Sequence, residues 1–132
     1  MKKKAAILVM ALWLAASGWP GNAGAQSLVG IWRSYLNTAW GLAYQEVIFM
    51  ANGTFTKSAR VGTWMARDVG TYTVGENYVH FNITDHEPKY YLGKPLQWVK
   101  SETWFFQFEG ADRVVFFDRI TNQRWVAHRS AY

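Results

Sequence analysis

The chain contains no cysteine. Disulfides, thiol nucleophiles, thiolate metal sites and an acylated cysteine anchor are thereby excluded, and the fold has to be stabilised by its apolar core alone. Histidine is scarce, at 3 in 132 residues, which leaves little for a metal centre built on imidazoles. No Gly-x-Ser-x-Gly elbow is present, and Ser34, Ser58 and Ser101 lie in strand-like runs with no recognisable base beside them, so serine-type hydrolysis is not expected. After Gln26 no segment sustains a 3.6-residue apolar stripe, which excludes a helical fold. No apolar run reaches the ~20 residues that a helix needs to cross a bilayer.

What is present begins with a three-part leader. Lys2, Lys3 and Lys4 precede the apolar run Ala5 to Ala16, and Gly18-Trp19-Pro20-Gly21 leads to Ala23-Gly24-Ala25. A basic head, a short apolar centre and a small-x-small end are the parts of a secretory signal peptide, expected to span 1–25 and to leave one domain over 26–132. The expected location is the periplasm or the exterior, with no membrane span once the leader is removed.

The formal charge of +5 owes much to that leader: without its three lysines, 11 Lys and Arg face 9 Asp and Glu. The bases are spread from Arg33 to Arg129 with no run of three, which reads as a mixed solvated surface and argues against nucleic acid as a partner.

Short apolar alternations followed by turn signals recur about every 8 to 12 residues, the mark of an all-β sandwich or barrel. Tyr78 to Thr84 is the clearest strand, with Val79, Phe81 and Ile83 on one face and Tyr78, His80 and Asn82 on the other. Gly75-Glu76-Asn77 joins it to a strand over Gly70 to Val74. Tyr44 to Met50 and Thr54 to Val61 flank Asn52-Gly53, a strong hairpin signal, and their register turns Val47, Phe49 and Phe55 inward. Glu102 to Phe108, Arg113 to Asp118 and Arg124 to Arg129 form a C-terminal meander. With Val29 to Leu36 and a short strand at Gly62 to Met65, the expectation is a seven- or eight-stranded antiparallel meander closing into a small barrel, which removes exposed edges. Two stretches interrupt the rhythm: Asn37 to Gly41, and Asp85 to Val99, expected to be a long loop that serves as a lid or an aromatic plug.

Gly30-Ile31-Trp32 at the head of the first strand resembles the G-x-W signature of lipocalin-like and other calycin barrels. The Phe49 to Phe55 hairpin, Gly70-Thr71-Tyr72 and a last strand ending in Arg129 resemble small bacterial lipocalin-like domains. The resemblance implies that Gly30 and Trp32 sit at a closed barrel end, with the indole under a basic side chain from the last strand, Arg124 or Arg129. It implies ligand binding as the activity. No cysteine pair and no third-strand lipocalin motif accompany it.

Chemistry-bearing clusters are few. Asp85-His86-Glu87 is the densest set of metal-ligand types, but neighbours on an extended chain point to opposite sides, so a polar turn closed by Pro88 is the expectation and no metal site is assigned. Glu46, Glu102 and Asp118 are expected in salt bridges on the outer face, not as a catalytic carboxylate pair. Asn52-Gly53-Thr54 and Asn82-Ile83-Thr84 match the N-glycosylation pattern and read as turn and strand residues. No cofactor motif is found, and an enzyme is not expected.

Two functions remain. In the first, Phe49, Tyr72, Phe81, Trp104 and Trp125 line an interior pocket for a small hydrophobic or aromatic ligand, with Tyr90, Tyr91 and Trp98 contributed by the lid. In the second, these rings together with Phe55 and Phe106 fill the barrel, and the outer surface serves an envelope protein partner or inhibits a protease.

Overall fold

A computed structural model describes residues 27–130. The expected leader over 1–25 lies outside the described residues.

The described residues form ten strands: β1 (Gly30–Thr38), β2 (Gly41–Phe49), β3 (Thr54–Val61), β4 (Trp64–Val74), β5 (Tyr78–Glu87), β6 (Tyr90–Tyr91), β7 (Lys94–Pro95), β8 (Ser101–Phe108), β9 (Arg113–Asp118) and β10 (Gln123–Ser130). Eight of them close into an antiparallel barrel in the order β1-β10-β9-β8-β5-β4-β3-β2, while β6 and β7 make a separate two-stranded hairpin. Each barrel strand pairs with the one before it in the barrel's sequence order, and β10 closes on β1 through Ile31↔Ser130 to Ser34↔Ala127. The all-β meander read from the sequence is therefore the architecture, with eight barrel strands. Antiparallel neighbours need only tight turns, and the chain supplies them. At Asn52-Gly53 the glycine takes φ +87° and the Asn52 carboxamide oxygen accepts from the Thr54 amide at 3.1 Å.

Three boundaries differ from expectation. Gly62 to Met65 is not a separate strand: Gly62, at φ +59°, and Thr63 form the turn, and Trp64 already begins β4. Asn37 to Gly41 is no interruption either, because β1 and β2 run into it and leave only Ala39 and Trp40 as the turn. The stretch from Asp85 to Val99 is not a structureless loop. β5 extends to Glu87, and the β6–β7 hairpin follows, held to the rim by Tyr91 against Trp64 at 5.2 Å between ring centres.

Alternation on a closed sheet places every second side chain in one interior. Trp32, Val47, Phe49, Phe55, Val79, Phe81, Trp104, Val114, Phe116, Trp125 and Ala127 are buried there. Their rings form one connected set. Phe49 meets Tyr72 at 4.9 Å and Phe81 at 5.8 Å, Phe81 meets Phe55 at 4.8 Å and Trp104 at 4.7 Å, and Trp104 meets Trp125 at 4.8 Å and Phe116 at 5.1 Å. All but Phe49–Phe81 are edge-to-face pairs, which contribute about 0.5–1.5 kcal/mol each beyond the area they bury.

The barrel has two ends. One, here the Trp32 end, is where β1 starts and where the β2–β3, β4–β5 and β8–β9 turns lie; the other, the Trp40 end, carries the β1–β2, β3–β4 and β9–β10 turns and the β6–β7 hairpin. The Trp32 end is sealed. Trp32 is 1% exposed, its indole N–H donates to the Leu28 carbonyl at 2.8 Å, and Phe108 meets it edge-on at 6.1 Å. The Arg129 guanidinium lies 4.4 Å from the Trp32 ring centre and donates to the carbonyls of Val29 (2.6 Å), Ser27 (2.8 Å) and Ala111 (3.1 Å). Gly30 beneath it takes φ +137°, a conformation that other residues rarely adopt, and a Cβ there would stand 2.7 Å from Arg129 Nη1. Arg124 sits toward the opposite end, over Phe117 on the outer wall at 5.8 Å.

Candidate functional site

Toward the Trp40 end the interior changes character. Lys57 on β3 faces inward between Phe55 and Ala59 and pairs across the sheet with Asp68 on β4. Its ammonium lies 3.5 Å from Asp68 Oδ2, is hydrogen-bonded to Glu102 on β8, and stands 5.1 Å from the centre of the Trp104 ring and 5.7 Å from that of Phe81. Asp68 also bonds to Nδ1 of His86 on β5. Four ionisable groups from four strands thus share a largely enclosed space inside the barrel, each side chain between 14% and 21% exposed. Removing charges from water costs several kcal/mol per ion unless each finds a close counter-charge, and Lys57 between Asp68 and Glu102 supplies one.

A bulge makes this grouping possible. The β4–β5 register shifts between Val69 and Gly70, so that Gly70 opposes Ile83, Val69 opposes Asp85 and Asp68 opposes His86. The extra residue on β5 reverses the alternation, and His86 turns inward where strict period two from Ile83 would send it out. Gly70 is needed at the shift because a Cβ would collide with the Asn82 carbonyl oxygen.

Trp98 covers this region. Its ring stacks on His86 at 5.7 Å between centres and 16° between planes, with the Lys100 ammonium 3.3 Å from the Trp98 ring centre. Beside it an open recess of about 100 Å³ is lined by Arg67, Val69, Asp85, His86 and Glu87. At its margin Asp85 accepts from Lys89 at 2.9 Å, which holds the Asp85 carboxyl below the usual carboxylate range and raises Lys89.

Three buried N–H donors in the same interior have no hydrogen-bond partner among the described residues: Gln45 Nε2, Trp104 Nε1 and Trp125 Nε1. The contrast with Trp32, whose indole is satisfied by Leu28, is direct. An unmet buried donor costs about 1–3 kcal/mol. Gln45, on β2, faces Ala59 across the β2–β3 pair, two residues beyond the Val47↔Lys57 pair toward the Trp40 end.

The residues expected to line a pocket divide among three environments. Phe49, Phe81, Trp104 and Trp125 are core, and Tyr72 is half-buried against it, its hydroxyl donating to the Met50 carbonyl at 2.7 Å. Burial raises the Tyr72 pKa. Trp98 packs partly on the core beside the charged cluster, whereas Tyr90 and Tyr91 stand exposed on the hairpin. Glu46 does make the outer-face ion pair expected of it, with Arg33 at 2.9 Å. Glu102 and Asp118 do not: Glu102 faces inward to Lys57, and Asp118 is buried with its carboxylate accepting from the Ile120 amide at 2.9 Å. Asp85, His86 and Glu87 part ways as extended geometry requires, and among the described residues no cluster of three or more metal-ligand side chains occurs.

Lys57, Asp68, Glu102, His86 and Gln45 were not expected in the interior. Lys57 and Gln45 occupy inward parity positions on strands read correctly, so their alternation was the available signal. Set against known proteins, the chain matches no family model and no curated protein.

Proposed function

We propose that the protein is an exported, lipocalin-like barrel that holds a small amphipathic molecule in the Trp40 half of its interior. The molecule's apolar or aromatic part lies against Trp104, Trp125 and Trp98, and a carbonyl, ether or hydroxyl group accepts hydrogen bonds from the interior donors. The observation that carries this reading is the set of unpartnered donors Gln45 Nε2, Trp104 Nε1 and Trp125 Nε1 next to the Lys57 cluster. A site built to donate hydrogen bonds favours a ligand able to accept them, because any other leaves buried polar groups unmet. The connected rings toward the Trp32 end support a small ligand over a long one, since they occupy the space that a deep apolar pocket would need.

Native mass spectrometry of the chain recovered after export tests this. A co-purifying mass of a few hundred daltons is expected on the parent chain and is lost from Gln45→Leu and Trp104→Phe. A bare chain in every preparation would favour the alternative of a filled barrel that serves an envelope partner through its surface.

A further inference from the structure

The outer surface is as unequal as the interior. Ten of the fourteen exposed large apolar side chains among the described residues belong by register to the Trp40 end, leaving Val29, Met50, Val74 and Tyr78 to the other. Three stand at the tips of separate turns and are almost fully exposed: Trp40 at 86%, Leu92 at 84% and Ile120 at 92%. Leu92 adopts φ +51°, a left-handed conformation that a branched side chain rarely takes. Neither packing nor backbone preference explains a leucine there.

Charge divides along the same line. Toward the Trp32 end, Arg33, Arg113 and Arg129 each have an acidic partner, in Glu46, Glu109 and Asp112. Toward the Trp40 end, Arg60, Arg67, Lys94, Lys100, Arg119 and Arg124 are exposed, and none is in an ion pair among the described residues. The acids exposed near them are Asp85, already taken by Lys89, and Glu87. The bases that look scattered in sequence are gathered by the fold at one end.

Isolated apolar residues on a surface need no explanation, but aromatic and aliphatic tips rimmed by unpaired cations on one face mark an interaction site. We propose that the Trp40 end docks on the headgroup layer of an anionic phospholipid bilayer. Trp40, Leu92 and Ile120 enter the interface, where Trp is favoured at the boundary between headgroup and acyl chain. Lys94, Lys100 and Arg119 meet the lipid phosphates. The contact is peripheral. Thr54, Thr56 and Ser58 on β3 and Thr71 and Thr73 on β4 face outward by register, so this part of the wall is polar where a spanning barrel would carry an apolar band. The proposal is independent of any ligand within the barrel.

Flotation of the exported form with vesicles tests it. Binding to phosphatidylglycerol vesicles is expected to exceed binding to pure phosphatidylcholine by at least tenfold, and to fall by a similar factor in 0.5 M salt. The triple variant Trp40→Ser, Leu92→Ser, Ile120→Ser is expected to lose at least tenfold with its unfolding midpoint unchanged. Should the triple variant fold poorly, Ile120→Ser alone and the pair Lys94→Glu, Arg119→Glu are each expected to weaken binding more than fivefold. No preference for the anionic vesicles, or folded variants that bind as the parent does, would overturn the proposal.

Discussion

The two halves of this barrel are built from the same alternating strands and solve burial in opposite ways. At the Trp32 end the polar groups that meet the core are answered: the Trp32 indole by Leu28, and the Arg129 guanidinium by three carbonyls and the face of the ring. At the Trp40 end, ionisable groups from four strands are enclosed together and three N–H donors remain unanswered among the described residues. Complete satisfaction serves stability, whereas enclosed charge and unmet donors cost free energy in the folded state. A fold that keeps them in one half only has separated the part that holds it together from the part available to bind.

Three substitutions press on that division. The largest effect belongs to the sealed end, where Trp32→Ala should destabilise by about 3–5 kcal/mol through the loss of its buried ring and the collapse of the Arg129 platform. Denaturant unfolding reads this directly, and a loss below 1 kcal/mol would mean that the Trp32 end is not where stability resides. Next comes Lys57→Met, which leaves Asp68 and Glu102 enclosed without their counter-charge and should cost about 2–3 kcal/mol. Adding Asp68→Asn and Glu102→Gln to it should return most of that loss, since the penalty lies in unpaired charge and not in lost volume; no recovery would assign Lys57 a packing role instead.

The smallest effect concerns Tyr72, toward the Trp32 end, whose pKa is raised by burial and whose hydroxyl donates to Met50. The folded state then holds this proton more tightly than the unfolded chain, so the contribution is complete below the ordinary tyrosine pKa of about 10 and is lost as pH rises through the higher folded value. Stability of the parent should decline more steeply than that of Tyr72→Phe once pH passes 10, and superimposable curves would refute the assignment.

The architecture was legible because period-two alternation and turn residues are local signals. Thr54 to Val61 and Arg113 to Asp118 coincide with β3 and β9, and Asn52-Gly53 forms the turn that its chemistry specifies. The candidate site was less legible for reasons that are also physical. The inward positions of Lys57 and Glu102 follow from alternation, but that each has a partner across the barrel depends on closure and register, which no single strand encodes. His86 was hidden by the bulge at Val69 and Gly70, where one extra residue on the facing strand reverses which side chains point in. The basic rim escaped notice because Arg60, Arg67, Lys94 and Arg119 are distant in sequence and meet only when the turns gather at one end.

The unmet donors of the Trp40 half are the centre of the account, and Gln45 isolates one of them. Equilibrium unfolding of ligand-stripped Gln45→Leu should show a chain more stable than the parent by about 1 kcal/mol, because an apolar side chain of similar size replaces a buried donor that has no acceptor. A clear loss of stability would show that Gln45 is satisfied within the fold, and that the Trp40 half is no more open to a ligand than the sealed end.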